Sequence, residues 1–370
     1  MKFYIIAGER SGDLHGGNLV KALKKHDEYS TFRGFGGEYM KEAGVDVVVH
    51  YSAMAFMGFI EVVKNLNTIT LYIKQCKQDI LSFKPDVIVL IDYGGFNMRI
   101  AKFAKQQGFK VFYYIPPKVW AWNQKRALKL KATVDQVFAI LPFEKDFFKK
   151  FDVHADYVGN PVLDAVKAHV VDKDFIRRNE IPTAKPIVAL LPGSRKQELQ
   201  RVIPIMTEVA RANKSYQFVV AAVKNLDDSL YGTLVFLPNV KFVYEETYDL
   251  LSCSKAAIVT SGTATLETAL FRVPQIVVYS TGIATYWLVK MMIMVPFISL
   301  VNLVAGKEVV KELIQGDFTV PKISTELNRL LNDNSYRETV LNGYDEIIKI
   351  LDTGSASENT ARLMMDYLEK

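Results

Sequence analysis

Apolar runs alternate with amphipathic stretches along the first half of the chain. The runs FYIIA, DVIVLI, KVFYYI and QVFAILPF are almost free of polar residues, whereas NLVKALKK, RIAKFAKQQ and EKDFFKKF show helical spacing of their apolar positions. Continuous apolar runs are typical of strands in a parallel sheet that is covered on both faces. Their alternation with helices indicates βαβ units, so the pattern predicts a doubly wound parallel sheet.

The same pattern starts again near residue 186. PIVALLPGSR leads into the helical stretch QELQRVIPIMTEVARANK, and QFVVAAV, VKFVY, AAIVTSG and PQIVVY follow as further strands. The segment between the two halves, residues 159–186, has a charged middle and prolines near both ends, as expected of a linker. The predicted fold class is α/β, with two Rossmann-like doubly wound parallel-sheet domains facing each other across a cleft. We expect a first domain at residues 1–165, a linker at 166–185, a second domain at 186–345 and a C-terminal helix at 346–370 that packs on the first domain.

Composition fits a globular protein with two domains. The 370 residues are 49% hydrophobic and 23% charged, which excludes extensive disorder. Cys76 and Cys253 lie far apart in sequence without CxxC or His-rich spacing, so neither a disulfide framework nor a zinc site is indicated. A net charge of +6 favours an anionic partner or surface, and we expect no nucleic-acid partner.

No apolar segment is long enough for export or for crossing a membrane. MKFYIIAGERSGD begins a strand at once and has too short an apolar run for a signal peptide, so we expect a cytoplasmic protein. The longest uncharged segments, residues 273–289 and 291–306, fall short of the roughly 20 apolar residues that a spanning helix needs. We therefore predict no transmembrane helix.

An acid follows directly on one predicted buried strand. In VIVLIDYGGFN, Asp92 comes after five apolar residues and before two glycines. The carboxyl ends of strands are where open α/β sheets bind ligands, so Asp92 is a candidate functional acid. Capping the next helix or closing a turn is the equally open alternative.

Three strand-to-helix turns carry residues suited to phosphate or sugar groups. AGERSGDLHGG follows the first strand but is not a GxGxxG motif, which argues against a dehydrogenase, and a turn without a ligand is the alternative. In LLPGSRKQE, the N–H groups of a helix start and the Arg195 guanidinium can bind one anion, such as a diphosphate. Ser194 as the N-cap of a capping box with Gln197 or Glu198 is the alternative there.

The third turn, TSGTATLETAL, opens a helix with Ser261, Gly262 and Thr263. Glu267 lies one turn later, on the same helix face as Thr263. A carboxylate at this place can accept both hydroxyls of a ribose. Ordinary capping chemistry with a solvated glutamate is the alternative.

Eight motifs resemble, in order along nearly the whole chain, those of the lipid-A-disaccharide synthases, which are inverting glycosyltransferases of the GT-B type. AGERSGD resembles AGEASGD, MGFIEVV resembles MGIVEVL, PDVIVLIDYGGFN resembles PDVFVGIDAPDFN, and VWAWNQKR resembles VWAWRQKR. LPFEKDFF resembles LPFEKAFY, LLPGSR is identical, SGTATLE resembles SGTAALE, and SLVNLVAGKEVVKEL resembles SLPNLLAGRELVKEL.

The resemblance implies that a 2,3-diacylglucosamine unit is transferred from UDP to the 6-hydroxyl of 2,3-diacylglucosamine 1-phosphate, in lipid A assembly. The family's essential aspartate falls on Asp92, and its diphosphate-binding arginine on Arg195. The other positions implied for the UDP-sugar are Gly193, Ser194, Ser261, Gly262, Thr263, Glu267 and Asn302. Those implied for the acceptor or sugar are Glu9, Ser11 and Gly12.

Asp92 is our candidate general base, and His15 in the first loop is the second candidate. No carboxylates cluster as metal ligands do, so we expect neither a metal nor a cofactor. The chain departs from the family where DYGGFN lacks a second acid, where Arg10 replaces a small residue, and where IPPKVWAW replaces a VSPSVWAW-like string. These departures concern acceptor contacts and not the reaction.

Acylated glucosamine substrates call for an apolar surface, and an anionic membrane surface is the expected partner. The segment from Met54 to Ile73 has more apolar positions than one core-facing stripe needs, which makes a lipid contact or a helix buried from two sides the alternatives. The basic segment KVWAWNQKRALKLK offers tryptophans and cations for the cytoplasmic face of an inner membrane, unless its tryptophans are core and its lysines merely solvated. The residues predicted for this surface are Met57, Phe59, Ile60, Val63, Trp120, Trp122, Lys125 and Arg126.

Two other functions share these features. Another UDP-sugar enzyme of the same architecture, such as a UDP-N-acetylglucosamine epimerase or a different glycosyltransferase, would keep the nucleotide loops. A non-catalytic binding protein with two lobes would keep the fold. Asp92 at a strand end argues against the binding protein, and the apolar and basic segments favour a lipid acceptor.

Overall fold

Two parallel β-sheets form the framework of the chain. The computed structural model describes residues 1–53, 66–121, 123–224, 226–282, 286 and 294–369. The chain divides into two compact units, the first made of residues 1–161 together with those from Asp352 onward, and the second of Val162–Leu351.

The strands of the two sheets are named in chain order. They are β1 (Lys2–Ala7), β2 (Thr31–Gly36), β3 (Asp46–His50), β4 (Val87–Ile91), β5 (Lys110–Tyr114), β6 (Gln136–Ala139), β7 (Ala155–Tyr157), β8 (Ile187–Leu191), β9 (Gln217–Ala222), β10 (Val240–Tyr244), β11 (Ala256–Thr260), β12 (Gln275–Tyr279) and β13 (Lys311–Ile314). The first sheet has the order β3-β2-β1-β4-β5-β6-β7, and the second β10-β9-β8-β11-β12-β13.

The helices connect these strands. They are α1 (Arg10–His26), α2 (Glu38–Glu42), α3 (Leu66–Phe83), α4 (Gly94–Gln106), α5 (Ala127–Thr133), α6 (Pro142–Lys149), α7 (Pro161–Ala168), α8 (Phe175–Arg178), α9 (Lys196–Ala212), α10 (Thr247–Cys253), α11 (Thr263–Leu270), α12 (Leu300–Ala305), α13 (Val320–Asn332), α14 (Asn334–Leu351) and α15 (Ala356–Leu368). Short 3₁₀ segments lie at Tyr51–Ala53, Val119–Ala121, Gln124–Arg126, Asp228–Phe236 and Gln315–Asp317.

Strand pairing is parallel throughout both sheets of the described chain. Strand β1 pairs with β4 in the register Ile5↔Val89, and β8 pairs with β11 in the register Leu190↔Ile258. Both pairs are buried along their whole length, apart from Lys2 at the start of β1, because helices cover both faces. The α/β fold with two doubly wound parallel sheets, predicted from the apolar runs, is confirmed.

The C-terminal helix α15 belongs to the first unit. Ala361, Met364 and Met365 are buried in the same hydrophobic cluster as β1 and β4. Asn359 donates its side-chain N–H to the backbone oxygen of Val158 at 3.1 Å, and Lys25 of α1 forms an ion pair with Glu358. The last helix of the chain therefore completes the core that the first strands begin.

The core of the second unit extends beyond its sheet. Phe175 and Ile181 are buried in one cluster with residues of β8, β9 and β11. These two side chains come from the segment expected as a linker, residues 166–185. That segment therefore contributes to packing in the second unit.

Candidate functional site

Each sheet reverses its strand order at one point, and the candidate loops lie there. In the first sheet the order reverses between β1 and β4, which end at the AGERSGD loop and at Asp92. In the second it reverses between β8 and β11, which end at the PGSR and SGT turns. Ligands of open α/β sheets bind at such reversal points, outside the carboxyl ends of the strands.

Asp92 sits in an unusual turn between β4 and α4. Its φ of 47° and that of Tyr93, 46°, both lie in the left-handed region, which residues other than glycine seldom adopt. The N-cap position of α4 is occupied by Tyr93, so Asp92 does not cap this helix, and closing the turn is the part of the alternative that remains. Asp92 is half-buried, and its backbone oxygen accepts hydrogen bonds from Tyr113 and Asn97.

The first loop packs directly on the Asp92 turn. A Cβ atom on Gly8 would overlap the ring of Tyr93, so this close approach requires glycine. Burial raises the pKa of the Tyr93 hydroxyl, and the Glu9 carboxylate contributes to the shift. Glu9 is the N-cap residue of α1, with Ser11 exposed and Gly12 buried in the first helical turn. The structure therefore brings Glu9 and Asp92 into one loop cluster.

Two further polar side chains lie on the first turns of α1. Asp13 is buried and accepts backbone N–H groups of Gly37, Tyr39 and Met40 at 2.6 to 3.1 Å, so it caps the start of α2. The Nδ1 atom of His15 is buried without a hydrogen-bond partner among the described residues. Burial lowers the pKa of His15 to about 4, which leaves the imidazole neutral and a weak base.

The PGSR turn presents an arginine at the start of α9. Arg195 is itself the N-cap residue, so the alternative of a capping box at Ser194 does not form. Gly193 has a φ of 104°, and the Glu198 carboxylate occupies the space where a Cβ on Gly193 would lie. The Arg195 guanidinium is 59% exposed and pairs with Glu198 at 3.6 Å. An exposed pair at this distance is weak, which leaves the guanidinium available for an anion.

The SGT turn leads into α11 with an exposed N-terminus. Gly262 is the N-cap residue and Thr263 the first helical residue, and both are exposed. The Ser261 hydroxyl donates to the backbone oxygen of Ile298 at 2.9 Å. Because the first N–H groups of a helix lack intrahelical acceptors, this end suits an anionic ligand.

Glu267 lies one turn into α11, half-buried beside a tyrosine. The Tyr248 hydroxyl donates to its Oε1 at 3.1 Å. Burial raises the pKa of Glu267, and the hydrogen bond from Tyr248 opposes that shift. Tyr248 was missed in the sequence because it belongs to α10, where no motif points to it. Its ring contacts His169, whose Nε2 lies 3.0 Å from Asp249.

Asn302 does not offer a free side chain to a nucleotide. It is fully buried, and its Nδ2 donates to the Val310 oxygen and to Glu312, both at 2.9 Å. Its Oδ1 accepts the N–H groups of Val309 and Val310. The hydrogen-bonding capacity of its side chain is all used inside the chain, and a contact between Asn302 and the UDP-sugar stays a prediction.

Glu312 extends this network toward the SGT turn. Its carboxylate accepts the N–H groups of Ile298 and Ser299 at 3.0 and 2.9 Å. The oxygen of Ile298 is the atom that binds the Ser261 hydroxyl. Asn302 and Glu312 therefore hold the segment on which Ser261 rests, a role that their spacing in SLVNLVAGKEVVKEL does not reveal.

The first tryptophan of the basic segment, Trp120, belongs to the core. Trp120 is 4% exposed, and its indole N–H donates to Glu144 at 2.8 Å. Its ring also packs edge-on against Phe143. The burial corrects the expectation that Trp120 lies at a membrane interface and supports the alternative that it is a core residue.

Of the other residues predicted for the lipid surface, two lie in the described part of the chain. Lys125 is exposed and Arg126 half-buried, next to the exposed side chain of Leu128. The predictions for Met57, Phe59, Ile60, Val63 and Trp122 fall outside the described residues. No helix in the described chain is both long and apolar enough to span a membrane.

Within the described ranges, no group of three or more His, Cys, Asp or Glu side chains is arranged to hold a metal ion. That the reaction needs no metal stays a prediction.

Solved structures with a similar fold share both units. A UDP-GlcNAc 2-epimerase from Neisseria meningitidis bound to UDP-GlcNAc is 14% identical with a TM-score of 0.69, and each chain is covered completely. The calicheamicin glycosyltransferase CalG4 is 15% identical with a TM-score of 0.62, covering 100% of this chain and 98% of the other. These likenesses define the class by fold, the GT-B architecture of two Rossmann-like domains.

Sequence comparison identifies the family within this class. The family model described as lipid-A-disaccharide synthetase matches residues 3–363, and the chain belongs to this family. A lipid-A-disaccharide synthase from Syntrophus aciditrophicus is 37% identical, covering 99% of this chain and 97% of that protein. Another from Coxiella burnetii is 35% identical, covering 98% of both. The membership predicted from the eight motifs is confirmed.

Proposed function

We propose that this protein condenses UDP-2,3-diacylglucosamine with 2,3-diacylglucosamine 1-phosphate and releases UDP, with inversion at the anomeric carbon. The match to the lipid-A-disaccharide synthetase family over residues 3–363 is the observation that carries the proposal. Lipid A disaccharide synthesis is the activity that the names of its relatives state. The half-buried acid at the reversal point of the first sheet supplies the chemistry such a transfer requires.

Asp92 acts as the general base in this proposal. The acceptor hydroxyl is a poor nucleophile at neutral pH, and a positioned carboxylate that removes its proton contributes about 10² to 10⁴ in rate. Single displacement at the anomeric carbon then inverts the configuration, as the oxygen of UDP leaves from the opposite face. His15 is the weaker candidate, because its Nδ1 atom is buried and the family's essential aspartate falls on Asp92.

The second unit binds the nucleotide part of the donor. Arg195 and the exposed start of α11 at Gly262 and Thr263 stabilise the negative charge that develops on the leaving UDP. Glu267 accepts the ribose hydroxyls. Ser194 and Gly193 shape the turn that carries Arg195, and Ser261 orients the start of α11. Glu9, Ser11 and Gly12 line the acceptor side.

Replacement of Asp92 by asparagine tests the proposed chemistry. Asparagine tolerates the left-handed backbone at position 92, so Asp92→Asn removes the charge and keeps the turn. We expect turnover to fall at least about 100-fold while UDP affinity and folding stay near wild type. Acceptor-dependent release of UDP from the diacylated donor is the measurement.

Controls in the same assay separate the competing functions. UDP release from UDP-N-acetylglucosamine, or its epimerisation, without an acylated acceptor would indicate a different UDP-sugar enzyme. Donor binding without any turnover would indicate a binding protein. Activity above half of wild type in Asp92→Asn would remove Asp92 from the role of base.

We also propose that the basic segment of the first unit binds an anionic membrane surface, from the cytoplasmic side. Lys118, Lys125 and Lys129 are exposed there, and Leu128 exposes 52% of its surface beside them. Cations attract anionic headgroups while an exposed leucine adds apolar contact. Trp120 is not part of this surface, since it is buried.

Charge reversal tests this surface. The variant Lys125→Glu/Lys129→Glu should lose most of its cosedimentation with vesicles that contain anionic lipid, and keep its folded state. Reversal of the exposed Lys21 and Lys349 changes the net charge equally elsewhere and should leave binding nearly intact. Equal losses from both pairs would show a general effect of net charge, and no surface at this segment.

A further inference from the structure

The turn that carries Asp92 adopts a backbone conformation that its own residues disfavour. Asp92 and Tyr93 are consecutive residues with φ near +46°, in the left-handed region. This region is energetically unfavourable for any residue that carries a Cβ atom. Such a conformation persists only where surrounding contacts impose it. The contacts that impose it here involve residues that the proposed mechanism does not use.

Two buried donors converge on one atom of this turn, the backbone oxygen of Asp92. The Tyr113 hydroxyl donates to it at 2.6 Å, and the Asn97 side-chain N–H donates to it at 2.9 Å. Tyr113 lies on the neighbouring strand β5 and Asn97 on α4, and neither exposes any surface. Two side chains on different elements therefore fix the peptide unit that follows the Asp92 side chain.

The hydrogen bonds of the Asn97 side chain are incomplete in this arrangement. Its Nδ2 also lies 3.1 Å from the oxygen of Ile91, so it donates to the last carbonyl group of β4 and to that of the following residue, Asp92. Its Oδ1 is buried and has no partner among the described residues. A buried acceptor without a partner lowers stability, which favours a role for Asn97 other than packing.

The Asp92 carboxylate lies close enough to influence the tyrosine. Burial raises the pKa of the Tyr113 hydroxyl, and the charge of Asp92 adds to the shift. The hydroxyl therefore stays protonated and remains a donor. A protonated, fully buried phenol cannot turn toward solvent, so its hydrogen bond to the Asp92 oxygen is kept.

We propose that Tyr113 and Asn97 are positioning residues for the reaction, which hold the Asp92 turn in its left-handed conformation and thereby aim the Asp92 carboxylate at the acceptor hydroxyl. This proposal rests on the proposed function, in which Asp92 is the base. Displacing a catalytic group by about 1 Å can cost a factor of about 100 in rate. Loss of one of the two donors should therefore appear in kcat, with little change in KM for the UDP-sugar.

The test is removal of single hydroxyl or amide groups. Tyr113→Phe deletes one donor without changing the shape of the core, and Asn97→Ala deletes the other. We expect each to lower kcat by about 10- to 100-fold, with donor KM and UDP affinity within about twofold of wild type. If one variant does not fold, the other carries the test.

Tyr4→Phe is the matched control. Tyr4 is also fully buried in the first sheet, and its hydroxyl donates to Asp79 at 2.8 Å. Asp79 keeps Arg33 as a partner after the change, so the variant should fold. We expect kcat of Tyr4→Phe to stay within about twofold of wild type, because its hydroxyl does not touch the Asp92 turn.

A double variant shows whether the tyrosine acts through Asp92. In Asp92→Asn/Tyr113→Phe, the tyrosine change should cost little beyond the loss from Asp92→Asn, because groups that act as a unit are not additive. An undiminished kcat in Tyr113→Phe and Asn97→Ala overturns the positioning role while leaving the proposed function intact. The positioning role is also overturned if Tyr113→Phe lowers kcat as much in the Asp92→Asn background as it does in wild type. An active Asp92→Asn variant removes the base and the positioning role together.

Discussion

Asn302 and Arg195 show how much single polar residues differ in what they can still bind. The side-chain amide of Asn302 makes all of its hydrogen bonds inside the chain, so it stabilises the segment beside the SGT turn. Arg195 exposes most of its guanidinium and meets Glu198 only at 3.6 Å. Exposed and weakly paired groups are the ones that remain available to a ligand, so Arg195 is the better candidate for the diphosphate.

Arg195→Ala should weaken binding of UDP and of the donor by about 10- to 100-fold, the value of a charge-assisted hydrogen bond to phosphate. Isothermal titration with UDP measures it. Arg211→Ala is the matched control, since Arg211 lies on the same helix α9, is 48% exposed and also pairs with a glutamate three residues away. Equal UDP affinity in wild type and Arg195→Ala would assign the diphosphate to other groups.

At the scale of elements, one buried acid joins two motifs of the first unit. Glu144, from LPFEKDFF, accepts the Trp120 indole N–H from VWAWNQKR and the backbone N–H groups of Ile140 and Leu141. These donors favour the ionised carboxylate, but complete burial outweighs them and raises the pKa of Glu144 from 4.5 to about 7. A Glu in the first turn of a helix that begins with proline was the available sequence signal.

This raised pKa makes stability depend on pH. Between pH 4.5 and about 7 the folded protein keeps the Glu144 proton while the unfolded chain has released it, so stability falls as pH rises. We expect the ionisation of Glu144 to lower the free energy of unfolding by about 3 kcal/mol between these two pH values. Glu144→Gln should be less stable than wild type at pH 4.5, because an amide N–H group then faces N–H donors. The difference in stability between wild type and Glu144→Gln should become smaller toward pH 7.

Urea denaturation at several pH values measures this difference. Glu28→Gln is the control, since Glu28 is exposed in the same unit and should give a small difference at every pH. A Glu144→Gln difference that stays constant between pH 4.5 and 7 would contradict the linkage.

At the scale of the whole molecule, the ends of the chain meet in one core. Helix α15 packs on α1, and its Met364 is fully buried with residues of β1 and β4. The loops that carry Glu9 and Asp92 extend from these same two strands. We therefore expect destabilisation of α15 to affect the Asp92 turn through the shared hydrophobic core, and not through a direct contact with Asp92.

Met364→Ala should destabilise the first unit by about 2 to 5 kcal/mol, because it leaves a cavity in a packed core. Hydrogen exchange should show faster exchange in β1 and β4 than in wild type, with the amides of β8 and β11 unchanged. Arg362→Ala, on the exposed face of the same helix, should change stability by less than about 0.5 kcal/mol. Unchanged protection of β1 and β4 in Met364→Ala would show that α15 is dispensable.

The sequence by itself determined the two parallel sheets, the loops at their reversal points and the family. Apolar runs and helical spacing are local patterns, and the eight motifs are short strings, so each can be read without knowing any distant contact. The order of βα units also places Asp92 and Arg195 after the ends of predicted strands.

Only the tertiary structure decided which polar residues are free to act. Trp120 and Asn302 looked available in their motifs, but Glu144 and Glu312, which bind them, are 24 and 10 residues away. Tyr113 and Asn97 meet at the Asp92 oxygen from a neighbouring strand and from the following helix. Burial and hydrogen-bond pairing depend on what packs against a residue, and that is set by the fold and not by adjacent letters.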